Sequence, residues 1–104
     1  MNALKLLFAD AALTDILEQS DWYERQSGDA LASRWENAVS TGIERIARNP
    51  LSSAPCDFGN DELHDIRRVS VDGFGKHSIF YEVGKAKIVI LRVAHGSRDI
   101  ESLF

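Results

Sequence analysis

The pattern of apolar and polar positions begins as a strand and then becomes helical. Leu4, Leu6 and Phe8 alternate with their neighbours, which predicts a short first strand. From Asp10, a candidate N-cap, apolar residues recur at helical spacing as far as the break at Ser27-Gly28. We therefore expect one strand followed by a first helix.

A second helix is predicted directly after that break. Asp29 is its candidate N-cap, and the helix should end by Asn49 because Pro50 disfavours helical geometry in the residue before it. Two helices with so short a connection form an αα-hairpin. Trp22 and Trp35, one on each helix, are expected to anchor its core.

The spacing changes to that of strands in the second half of the chain. The predicted strands are 66–71, 77–83 and 86–93, separated by turn residues at 72–76 and at Gly84-Lys85. The last strand is apolar on both faces, which predicts a central position in the sheet. The order β-α-α-β-β-β predicts an α+β fold class, a helical hairpin packed on an antiparallel-rich sheet, as one domain over residues 1–104.

Charge is divided unevenly between the two halves of the chain. The total is −4 at pH 7, which alone argues against phosphate binding. Residues 1–48, however, carry five basic and eight acidic residues, whereas residues 63–98 carry seven basic and three acidic ones together with all three histidines. This asymmetry indicates an interaction surface on the sheet, although solvated charges on strand faces would produce it equally well.

Composition restricts the class of protein further. No apolar run approaches the roughly 20 residues of a membrane span, and the N-terminus lacks the features of a signal peptide, so we expect a cytoplasmic protein without membrane contact. The lone Cys56 can form no intramolecular disulfide and is expected to have an incidental loop or packing role. The sequence contains no nucleotide-binding or metal motif, and we expect no cofactor and no metal site.

The remaining candidates for chemistry are basic and aromatic residues on the predicted strands. Strand alternation groups His77 and Tyr81 on one face, and it groups Arg92 with Ile88 and Ile90 but His95 with Val89, Leu91 and Val93. Such a group on the sheet face away from the helices can bind an acidic protein or polynucleotide, or supply acid–base catalysis. A strand-end histidine is also commonly a hydrogen-bonded surface residue, so spacing leaves these alternatives open.

Several segments, taken in their order along the chain, resemble the RelE/ParE superfamily of toxins from type II toxin–antitoxin modules, in particular the ParE-like plasmid stabilisation proteins. The resemblance covers nearly the whole chain and is carried by residues 11–16, 30–50, 66–68, 77–83 and 90–100, the last reading Ile-Leu-Arg-Val-Ala-His-Gly-Ser-Arg-Asp-Ile. It implies a compact α+β fold and a growth-inhibiting toxin that a cognate antitoxin neutralises.

The superfamily has two functional branches, and the sequence is more similar to the one without catalysis. The RelE-like branch cuts mRNA on the ribosome with basic side chains on the sheet and a Tyr or His near the C-terminus. Basic positions of that branch fall here on Asp65, Ser78 and Gly96, and the C-terminal aromatic residue is Phe104, which has no hydroxyl. Only Arg67 matches a basic position, so the resemblance favours the ParE-like branch, which is associated with inhibition of DNA gyrase.

The leading hypothesis is therefore a ParE-like toxin that inhibits growth by binding a protein target, DNA gyrase, without catalysis of its own. The residues expected to meet the target or the antitoxin are Arg67, Arg68, His77, Tyr81, Arg92, His95 and Arg98. An acidic amphipathic antitoxin segment would lie along the apolar groove and the basic sheet. A homodimer or a toxin–antitoxin hetero-oligomer is the expected assembly.

Two alternatives remain open from the sequence. One is a ribosome-dependent mRNA endonuclease that uses His77, Arg92, His95 and Arg98 as catalytic residues, with the ribosome and mRNA as partners. The other is an inactive relative that only binds its antitoxin.

Overall fold

A computed structural model describes residues 4–59, 65–96 and 100–104. The elements run in the order β1 (Lys5–Phe8), α1 (Asp10–Ser27), α2 (Asp29–Arg48), β2 (Ile66–Val71), β3 (Phe74–Val83), β4 (Lys87–His95) and a short 3-10 helix (Ile100–Leu103). The α+β class and the order β-α-α-β-β-β are confirmed. No helix in the described ranges is both long enough and apolar enough to cross a membrane.

The four strands form one mixed sheet in the order β1-β4-β3-β2. β1 pairs with β4 in parallel, and the pairs β4–β3 and β3–β2 are antiparallel. The apolar β4 is thus flanked on both sides, as its sequence predicts, because a strand buried on both faces needs no polar alternation. The β2–β3 turn is shorter than predicted, since β3 already begins at Phe74.

A single glycine separates the two helices. Gly28 has φ 86° and ψ −177°, a conformation that is open to glycine and strained for other residues. The predicted caps are wrong by one residue: Ala9 and Gly28 are the N-caps, and Asp10 and Asp29 are the first helical residues. Their carboxylates still lie in the first turns, where negative charge interacts favourably with the helix dipole.

The main core lies between the helices and one face of the sheet. Trp35 of α2 is fully buried there, and its indole Nε1 donates to the carbonyl oxygen of Ile16 on α1 at 3.1 Å, which ties the two helices together. Gly42 allows α2 to approach β3 closely, because a Cβ at this position would lie 2.7 Å from Cδ1 of Ile79. Trp22, which was also expected to be a core anchor, is instead half exposed.

A second apolar cluster covers part of the opposite face of the sheet. Its buried members are Ile66, Phe80, Ala94 and Ile100, with Cys56, Phe58, Leu91 and Leu103 packed against them. Cys56 therefore has a packing position, and burial raises the pKa of its thiol while the nearby Arg68 charge opposes that rise. Within the described residues, this cluster leaves a pocket on the same face near the β2–β3 turn.

Candidate functional site

A bulge in β4 decides which candidate side chains meet. Phe80 pairs with Arg92 while Tyr81 pairs with Ile90, so Leu91 is an extra residue on β4. An extra residue inverts the alternation beyond it, which places His95 opposite His77. Two predictions about strand faces are therefore wrong. His95 was expected on the face opposite Ile88 and Ile90, and Arg92 was expected on the same face as these residues.

His77 and His95 form a cross-strand pair at the end of the sheet. Their ring centroids lie 5.1 Å apart, and the His77 ring also lies 5.0 Å from that of the buried Trp35 in an edge-on arrangement. Partial burial, and secondarily the charge of His95, lowers the pKa of His77 below its usual value. His77 therefore packs on the core, and its burial disfavours the protonated form.

The histidine pair lines an open cleft between α1 and the sheet. The cleft has a volume of about 730 Å³ and is bordered by Glu18, Gln19, Asp21, Trp22, Tyr23, Arg25, His77 and His95. Carboxylates from α1 thus face the histidines, and Trp22 and Tyr23 supply an aromatic wall. The mixed charge suits a polar protein segment better than a polyanion.

Arg92 is held by α1 and does not project freely. Its Nε and Nη2 donate to the two carboxylate oxygens of Asp15 at 2.7 and 2.8 Å, and the backbone N of Val93 donates to the same carboxylate at 3.0 Å. The hydrogen bond to Asp15 raises the pKa of the Arg92 guanidinium. Burial opposes this rise, and the negative charges of Asp15 and Glu18 add to it. Arg92 thus joins the helical hairpin to the sheet.

The side chains of two further candidate residues also make contacts within the fold. Tyr81 is fully buried, and its hydroxyl donates to the carbonyl oxygen of Pro50 at 2.7 Å, so its predicted place on a binding surface is wrong. Arg67 is partly buried and donates to the carbonyl oxygen of Ser53. Both side chains fix the connection that follows α2.

Arg68 differs from these residues because it is exposed on the sheet face away from the helices. It borders a pocket with Ser70, Lys76, Ser78 and the end of β4. Arg98 lies outside the described residues. Of the other six predicted residues, the sheet register pairs His77 with His95 and Arg67 with Tyr81.

Sequence reasoning missed three parts of this region. Asp15 carries no sequence signal for its role, because its partner is 77 residues away. Lys76 was assigned to a turn and instead lines a pocket in β3. Leu13 and Leu17, two of the apolar residues at helical spacing in α1, are 45% and 62% exposed, a pattern typical of a contact surface.

No metal site is evident in the part of the chain that the structure describes. Within residues 4–59, 65–96 and 100–104, no group of three or more His, Cys, Asp or Glu side chains is arranged to hold an ion.

The fold, a helical hairpin on one face of a mixed four-stranded sheet, is that of the RelE/ParE toxins. The family model for the ParE toxin of the type II toxin–antitoxin system parDE matches residues 6–100. This chain belongs to the ParE toxin family of type II toxin–antitoxin systems. No curated protein sequence gives a significant match.

Solved structures show the same fold at low sequence identity. A chain of the chromosomal ParDE system from P. aeruginosa superposes with a TM-score of 0.74 and 16% identity, covering 89% of this chain and 96% of that one. A chain of the E. coli DinJ–YafQ toxin–antitoxin complex gives 0.60 and 10%, covering 91% and 94%. The YoeB/ParE toxin from Agrobacterium tumefaciens gives 0.59 and 11%, covering 88% and 98%.

Proposed function

We propose that this ParE-family protein arrests growth by binding a protein target in the cytoplasm, DNA gyrase, and that a cognate antitoxin neutralises it. The observation that carries the proposal is that Arg92 and His77, two of the four candidate catalytic residues, make contacts within the fold. Arg92 is bound bidentately by Asp15, and the His77 ring packs edge-on against the buried Trp35. A nuclease needs such groups free to meet the substrate, whereas a binding protein needs only a shaped surface.

The exposed apolar side chains of α1 support an antitoxin-binding role. Leu13 and Leu17 are one helical turn apart and therefore lie on the same face of the helix. An amphipathic segment of a partner can bury such a stripe with its own apolar face. The related chains from P. aeruginosa and E. coli come from a ParDE system and from a toxin–antitoxin complex, which favours the same kind of partner here.

The proposal is tested by expression without the antitoxin and by a gyrase assay. Induction should stop growth, and the purified chain should inhibit gyrase supercoiling or trap cleaved DNA. Addition of the protein from the adjoining open reading frame, as the matched control, should restore supercoiling. Normal growth on induction, or intact gyrase activity in the presence of a toxic preparation, would contradict the proposal.

A second candidate function, ribosome-dependent mRNA cleavage, is favoured by the histidine pair. Two adjacent imidazoles at the edge of a cleft that also holds Arg25 can in principle move a proton and stabilise charge. Cleavage of mRNA in translating ribosomes by the wild-type chain, abolished in His95→Ala, would favour this function over gyrase binding.

A further inference from the structure

A basic pocket lies at the open end of the sheet face away from the helices. Arg68 and Ser70 of β2, Gly75, Lys76 and Ser78 of β3, and His95 and Gly96 at the end of β4 enclose a volume of about 440 Å³. None of these residues is acidic. The pocket therefore concentrates positive charge in a protein whose total is −4.

An irregularity of β3 builds this pocket. Ser70 pairs with Ser78, but the next residue of β2, Val71, pairs with Phe74, so three residues of β3 have no counterpart on β2. This irregular segment includes Gly75 and Lys76, and Lys76 lines the pocket that Arg68 borders. The backbone N of Gly96 donates to the carbonyl oxygen of Lys76 at 2.6 Å, which fixes the bulge to the end of β4.

Two of the residues that line the pocket are glycines and place no side chain in it. A Cβ on Gly75 would meet no atom within 4 Å, and a Cβ on Gly96 would lie 3.4 Å from the Lys76 carbonyl oxygen. The pocket thus offers free volume beside its cationic groups.

We propose that this pocket binds a phosphate group. A guanidinium supplies a planar fork of donors, an ammonium supplies a compact charge, and Ser70 and Ser78, which also line the pocket, add hydroxyl donors. A tetrahedral oxyanion has enough acceptors to use all of them, and charge-assisted hydrogen bonds of this kind are the strong ones. A cation would be repelled, and an apolar ligand would leave these donors unpaired.

The phosphate can come from a small molecule or from a nucleic-acid backbone, and the pocket chemistry is the same for both. The proposal does not depend on the identity of the cellular target, because it concerns only the binding of the group itself.

The test is a nuclear magnetic resonance titration of the isotopically labelled full chain at constant ionic strength. Inorganic phosphate should shift the backbone signals of Ser70, Lys76 and Ser78, whereas acetate at equal concentration should not. A dinucleoside monophosphate probes the diester: shifts with it support a backbone phosphate, and shifts with inorganic phosphate alone support a small-molecule source. No shifts with either probe, or equal shifts with acetate, would overturn the proposal.

A matched pair of variants separates the pocket from general charge. Arg68→Gln with Lys76→Gln should weaken phosphate binding at least about tenfold, since two charge-assisted contacts are lost. Arg48→Gln with Lys85→Gln removes the same charge from exposed positions elsewhere and should leave binding unchanged. Arg68→Lys, which keeps the charge, should retain most of the affinity. Equal weakening by both double variants would show that only net charge matters and would overturn the site.

Discussion

At the scale of single residues, the partner of a side chain decides its role more than its chemical type does. Arg92 and Arg45 are both arginines paired with an aspartate, yet the Arg92–Asp15 pair is 21% and 14% exposed and the Arg45–Asp72 pair 47% and 65%. An exposed ion pair is screened by water, whereas a largely buried pair leaves an uncompensated charge when one partner is removed. Replacement of Arg92 is therefore a test of folding as well as of function.

Asp15→Ala should destabilise the protein by about 2–4 kcal/mol, because it leaves the Arg92 guanidinium and the backbone N–H of Val93 without their acceptor. The matched control Asp72→Ala removes an exposed pair and should cost less than about 1 kcal/mol. Urea unfolding followed by circular dichroism measures both. Equal costs for the two variants would show that Asp15 does not secure the helical hairpin to the sheet.

The histidine pair predicts a pH dependence of stability. The pKa of His77 is lower in the folded protein than its usual value of 6.5, so the unfolded chain binds the proton more tightly. The stability that His77 contributes to the folded state is fully present above pH 6.5. It is lost as the pH falls from that value toward the lowered pKa of the folded protein. His77→Gln should therefore flatten the acid side of the curve of unfolding free energy against pH. A wild-type curve and a variant curve that remain parallel between pH 7.5 and 5 would contradict this assignment.

At the scale of elements, the sequence predicted which elements form but not how the strands are registered. Gly28 and Pro50 mark the helix ends in the sequence because their backbone preferences are local. The bulge at Leu91 has no local signature, since it depends on how β4 pairs with β3. That single extra residue inverted the predicted faces of Arg92 and His95, and so the candidate site was predicted less well than the fold.

Gly28→Ala tests the link between the two helices. An alanine held at φ 86° and ψ −177° should lower the free energy of unfolding by about 1–3 kcal/mol, because this backbone conformation is strained for a residue with a Cβ. The added Cβ would have no atom within 4 Å, so no new contact offsets the loss. Gly75→Ala is the matched control because Gly75 has no positive φ and its Cβ would meet open space, so little change is expected. A loss of stability in Gly75→Ala as large as in Gly28→Ala would show that backbone strain at the hairpin is not the cause.

At the scale of the whole molecule, the division of charge seen in the sequence does not produce a single basic surface. The acidic helices pack on one face of the sheet and bind Arg92 through Asp15, while Arg68 and Lys76 line the pocket on the other face. Part of the positive charge on the strands is thus neutralised by ion pairing within the protein. The described residues present an exposed apolar stripe on α1, a cleft of mixed charge at the histidine pair and a small basic pocket on the far face.

The apolar stripe carries the last prediction, which rests on the proposed antitoxin. Leu13→Gln with Leu17→Gln should weaken antitoxin binding by at least about a hundredfold, because each buried leucine contributes roughly 1.5–3 kcal/mol. Both side chains are largely exposed in the free chain, so the variant should fold and remain toxic while co-expressed antitoxin fails to rescue growth. Leu51→Gln, at a position that is 64% exposed in the connection after α2, is the control and should be neutralised normally. Isothermal titration calorimetry with the purified antitoxin separates loss of binding from loss of expression, and an unchanged affinity in the double variant would move the antitoxin to another surface.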